Sequence, residues 1–81
     1  MKIDTLPNLN SRPQMPDFGA RIREARIACG LSQTELGKEV GWSSPTALSY
    51  IEKNKRGITV KDLLQIAHTT NKPITFFYEL E

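Results

Sequence analysis

The sequence holds one cysteine, one histidine and no long apolar run, and each shortage removes a class of function. A lone Cys29 permits neither an internal disulfide nor a thiolate metal cluster, so a reducing cytosol is the natural compartment. His68 is the only imidazole, and there is no glycine-rich phosphate loop and no metal-ligand spacing. The expectation is therefore no metal, no cofactor, no small-molecule substrate and no enzyme. No stretch approaches the roughly 20 apolar residues of a membrane span, and the start lacks the apolar segment of a signal peptide. A strong charge of one sign is also missing. The net charge is +2 and the pI about 8.9, so charge alone does not announce nucleic acid.

What is present is patterning. A chain of 81 residues has room for one small domain with a marginal core, and 38% hydrophobic with 25% charged residues is a globular composition. The basic side chains concentrate in the middle: residues 18–56 carry seven of them against four acidic ones, while the rest is near balance. Residues 1–16, with Pro7, Pro13, Pro16, Asn8 and Asn10, follow no helical or strand period and read as an arm ahead of a domain at 17–81.

Within that domain, caps and apolar spacing mark helices. Asp17 is an N-cap, and Phe18, Ile22, Ala25 and Cys29 form a stripe, leaving Arg21, Arg23 and Glu24 to water. Gly30 ends this helix in a left-handed C′ position with Leu31 folding back. Ser32 and Glu35 have the spacing of a capping box, which starts a second helix over about 32–40, with Leu36 and Val40 inward and Gly41 as the stop. Ser44 is the better N-cap of a third helix at about 45–53, with Ser43 as the alternative, and Pro45 then falls at the first helical position. Ala47, Leu48 and Ile51 lie on one side of it, while Thr46, Ser49, Tyr50 and Lys53 recur at i, i+3, i+4 and i+7 on the other. Hydroxyls and a ring lose little entropy on contact, and such a face suits a partner better than it suits water. Lys55 and Arg56 form a basic turn, and Thr59 with Asp62 makes a second box. Val60, Leu63, Leu64 and Ala67 continue the core, Asn71 serves as a C′ residue, and Pro73 opens a short last helix rich in apolar side chains.

Gly30-Leu31-Ser32-Gln33, Glu35-Leu36, Val40-Gly41, Leu48-Ser49-Tyr50-Ile51-Glu52, Lys55-Arg56 and Leu63-Leu64-Gln65-Ile66-Ala67 together resemble the Cro and phage-repressor (XRE-like) helix-turn-helix family, over about residues 21–77. The resemblance implies an all-α fold, a compact five-helix bundle whose third helix lies in the major groove. It would place Ser44, Pro45, Thr46, Ser49 and Tyr50 at base edges. Gln33, Ser43, Lys53, Lys55 and Arg56 would lie on phosphates, and Arg26 and Glu52 would form an ion pair between the first and third helices. The chain departs from the family in its extra residue between Gly41 and Ile51, in Gly37 where alanine is usual, and in Thr70-Asn71-Lys72 where Leu-Gly-Val is typical. The implied partner is double-stranded DNA, bound at a palindrome by a homodimer joined through Phe76, Phe77, Tyr78 and Leu80. The implied role is a repressor-like regulator. Alternatives are the controller protein of a restriction-modification operon, an antitoxin bound to a toxin, and a protein-protein adaptor.

Overall fold

A computed structural model describes residues 16–79. The arm expected at 1–16 lies, apart from Pro16, outside the described residues, as does Leu80. The described chain folds into five helices: α1 (Phe18–Ala28), α2 (Gln33–Val40), α3 (Pro45–Glu52), α4 (Val60–Thr69) and α5 (Ile74–Phe77). No strand occurs among the described residues.

The helices start where the caps predict. The Asp17 carboxylate accepts from Ala20 N–H at 2.9 Å, Ser32 and Glu35 exchange both bonds of a capping box, and the Thr59 hydroxyl accepts from Asp62 N–H at 3.1 Å. Pro73 precedes α5 as its N-cap instead of being its first residue. The first four helices stop by one shared device. Residues in positive φ, Gly30 (+72°), Gly41 (+89°), Asn54 (+58°) and Asn71 (+56°), turn the chain back. The next residue's N–H then reaches the carbonyl five positions earlier: Leu31 to Arg26, Trp42 to Gly37, Lys55 to Tyr50 and Lys72 to Ala67, all at 2.8–3.1 Å.

These stops set the crossings. α1 packs on α3, α2 on α3 and α4, and α5 closes the bundle against α1 and α4. The core is Ile22, Ala25, Leu36, Leu48, Ile51, Leu63, Ile66, Ala67 and Phe77. Thr70, in a place where the family has an aliphatic side chain, is 2% exposed and satisfies its hydroxyl by donating to Ile66 O at 2.7 Å. A buried polar group so bonded costs little.

Several expectations are corrected here. Cys29 is exposed, because α1 ends before it; its thiol donates to Thr70 O at 3.1 Å. Arg21 does not face water: the guanidinium lies 5.4 Å from the Phe76 ring centre, with Glu24 at 3.4 Å and Glu79 at 3.8 Å. On α4 the buried seam runs through Leu63, Ile66, Ala67 and Thr70, which leaves Val60 and Leu64 a quarter-turn to the side and largely exposed. Phe77 is fully buried, so it serves the core and offers no surface to a second chain. Phe76 is half-buried beneath Arg21 and Lys72, and Tyr78 is exposed with its ring edge-on to Phe18 at 5.1 Å.

Candidate nucleic-acid interface

The position of α3 follows from what holds its two ends. At the start, Ser44 and not Ser43 is the cap, its hydroxyl accepting from Thr46 N–H at 3.2 Å, and Pro45 occupies the first helical position. At the end, Asn54 reaches across to α1: its side-chain oxygen accepts from Gly19 N–H at 3.0 Å and its amide donates to the Asp17 carboxylate at 2.6 Å. Gly19 permits this approach, since a Cβ there would lie 2.6 Å from the carbonyl oxygens of both Ile51 and Glu52. The Asn54 bond, with the Ala20 N–H and the nearby Arg21 charge, holds the Asp17 carboxyl below its usual range. Between these anchors Leu48, Ile51 and Glu52 are buried, and the opposite face is displayed.

That displayed face carries the predicted base-reading set. Ser44, Pro45, Thr46 and Tyr50 are exposed, and Ser49 is half-buried. A cleft of about 400 Å³ runs along the face, lined by Trp42, Ser43, Thr46, Ala47 and Tyr50 among others and bounded by Arg56. Arg56 arrives there because the Lys55 N–H bonds Tyr50 O at 2.8 Å and folds the basic turn back along the helix. Pro45 and Ser49 do not line the cleft. Trp42 and Ala47, both half-buried, do, and Trp42 packs against the core as well.

The predicted phosphate set surrounds this face. Lys53, Lys55 and Arg56 are exposed on the α3 side. Gln33 opens α2, where unpaired amides and the helix dipole favour an anion. Its side chain is already engaged: Nε2 donates to Glu52 Oε1 at 3.1 Å. Glu52, whose side chain is 3% exposed, is held in turn by Arg26, with Nε to Oε2 at 2.7 Å and Nη2 to Oε1 at 3.1 Å. Arg26 Nη1 also donates to Leu31 O at 2.9 Å. The expected ion pair thus forms, and it extends to a third helix.

Elsewhere, Cys29, Glu39 and His68 line a separate opening, but no group of three metal-binding side chains assembles among the described residues. No described helix is long and apolar enough to cross a membrane.

A family model described as helix-turn-helix matches residues 22–77, which include α2, the turn, α3 and their supports. This chain belongs to the helix-turn-helix family of Cro and phage-repressor type. Among the relatives of this helix-turn-helix chain are HTH-type transcriptional regulators of Sinorhizobium medicae and Rhizobium meliloti, each 34% identical over 61 residues. The match covers 75% of the chain but 43% of those proteins, so the chain spans less than half their length. The restriction-modification controller protein C.AhdI from Aeromonas hydrophila is similar in structure, with a TM-score of 0.70 and 27% identity over 76% of this chain and 92% of that one. SinR, in a crystal structure with DNA, superposes with a TM-score of 0.67 and covers 74% of this chain and 95% of that one; at 24% identity it speaks to the fold alone.

Proposed function

We propose that this helix-turn-helix domain binds double-stranded DNA in a sequence-specific manner and regulates transcription, acting as a homodimer on a palindromic operator. The observation that carries the reading is the α3 surface: a displayed hydroxyl-and-tyrosine face flanked by Lys53, Lys55 and Arg56, with its buried side anchored to α1 and α2. With α3 in the major groove, Thr46 and Tyr50 meet base edges and the exposed cations meet phosphates. The face has no Gln, Asn or Arg to pair bidentately with a base. Discrimination then comes from methyl and ring contacts along the cleft, from bridging water and from DNA shape. The twofold partner is supported by exposed apolar area at Val60, Leu64 and Tyr78. Phe77 is no part of that surface.

Titrating the protein against the DNA upstream of its own gene, at several salt concentrations, tests this. Specific binding is expected, with a slope to which each phosphate-bound cation adds about −0.9. Thr46→Ala should relax sequence preference, and Arg56→Ala should weaken all sequences alike and flatten the slope. Equal affinity for operator and random DNA sinks the sequence-specific reading.

Control of a restriction-modification operon is a second reading, favoured by the likeness to C.AhdI across 92% of that protein's length. It uses the same DNA-binding surface and differs only in which genes lie beside the operator.

A further inference from the structure

Among the described residues, Gln33 is the one member of the proposed phosphate set whose side chain has a partner that dictates its orientation. An amide can present oxygen or nitrogen to its surroundings, and the hydrogen-bond network decides which. Here the decision is forced. Glu52 Oε1 only accepts, so the Gln33 face turned toward it must be the NH2 group. One of the two N–H bonds is spent on Glu52; the second diverges from it by the planar geometry of the amide and has no acceptor among the described residues, which leaves it to an outside one. Glu52 cannot swing away, because Arg26 takes both of its oxygens and the side chain is 97% enclosed. Arg26 is itself tied to the chain between α1 and α2 through Leu31 O.

We infer that Glu52 is a positioning residue for DNA binding: it locks the Gln33 amide with one N–H directed to the backbone phosphate. This rests on the DNA-binding reading above and deepens it. The carboxylate brings a negative charge close to the phosphate, and the Arg26 guanidinium neutralises it, so the orienting bond carries no net repulsion. The gain is pre-organisation, since a long polar side chain ordered before binding has no rotamer freedom to lose on contact. That advantage corresponds to about a two- to tenfold change in affinity.

A double-mutant cycle on operator binding separates positioning from mere support. The variants are Gln33→Met, which keeps the shape and removes the amide, Glu52→Gln, and the pair. Glu52→Gln alone is expected to weaken binding about two- to tenfold without altering the salt slope, because no cation–phosphate contact is lost. In the Gln33→Met background the same change should have little effect. An equal loss in both backgrounds overturns the inference and leaves the DNA-binding reading intact; a wild-type protein that binds no DNA overturns that reading instead. Should Glu52→Gln fail to fold, the wild type still answers the question. The heteronuclear 1H–15N NOE of the Gln33 side-chain amide in free protein should have the value of an ordered backbone group. A freely rotating value overturns the inference.

Discussion

One amino-acid change, glycine to alanine, should act with opposite sign at two positions of this domain. At Gly19 the new methyl would sit 2.6 Å from two carbonyl oxygens at the end of α3 and 2.8 Å from the Asn54 side-chain oxygen. Two of these three atoms are backbone, so relief requires α1 and α3 to separate by several tenths of an ångström. Overpacking of this kind costs about 1–3 kcal/mol, and the strained Gly19–Asn54 bond adds about 1 kcal/mol. Against this stands alanine's helix preference, worth at most about 1 kcal/mol. The net loss is about 2 kcal/mol, a large part of the roughly 3–5 kcal/mol that a core of this size supplies. At Gly37, in the middle of α2, a Cβ would meet nothing within 4 Å and φ is not positive. Only the propensity term remains, and Gly37→Ala should stabilise by about 1 kcal/mol.

Thermal unfolding followed by far-UV circular dichroism and by Trp42 fluorescence reads both effects. The thermal midpoint should fall by about 8–16 °C for Gly19→Ala and rise by about 4–8 °C for Gly37→Ala, using about 4–8 °C per kcal/mol for a domain of this length. The double variant should be close to the sum, since the two sites share no partner. A Gly19→Ala protein as stable as the wild type would mean that α1 does not approach the end of α3 so closely. The placement of α3 argued from that contact would then be wrong.

The same α1–α3 anchor makes stability depend on acid. Hydrogen bonds lower the carboxyl pKa of Asp17, chiefly from Asn54, and of Glu35, from the Ser32 N–H and hydroxyl. The folded state therefore binds fewer protons than the unfolded chain, its advantage is complete above the ordinary carboxylate range, and it is lost as pH falls through the lowered values. Urea midpoints should be level from about pH 7 to 5 and drop below about pH 4, and Asp17→Asn with Glu35→Gln, which keep cap geometry, should flatten that drop. The dimer claim is checked by Leu64→Glu, which places a charge on the exposed side of α4 and leaves the buried seam intact. Sedimentation equilibrium should show weaker self-association with unchanged helicity, and an unaltered dimer constant excludes this face of α4.

Where helices begin and end was legible because the causes are local. Asp17, Ser32, Ser44 and Thr59 bond amides two or three residues on, and Gly30, Gly41 and Asn71 take a backbone region that most residues avoid. Asn54 does the same and was missed, because Asn54 to Gly57 already reads as a turn cluster and its long-range bonds to α1 have no local trace. The seam of α4 was ambiguous for another reason. Five apolar residues in eight positions define more than one face, and only the contacts with α2 and α5 select Leu63, Ile66 and Ala67 over Val60 and Leu64. Arg21 was sent to water by its charge, although the aromatic C-terminus provides a ring for it to lie on.

At the interface the same division matters for function. The residues offered to DNA could be named from helical spacing, but the bond that orients Gln33 joins positions 19 apart on different helices. It exists only because the stops at Gly30 and Gly41 swing α1, α2 and α3 into one crossing, where the ends of three elements meet at Glu52. Identity of the contacting side chains is thus a local property of this chain, whereas their readiness to bind is a property of the crossing. A variant that loosens the crossing, such as Gly19→Ala, should weaken DNA binding even while every proposed contact residue is present. A fall in operator affinity for that variant at a temperature where it remains folded would establish the link. Full affinity under those conditions would show that the contacts organise themselves on the DNA.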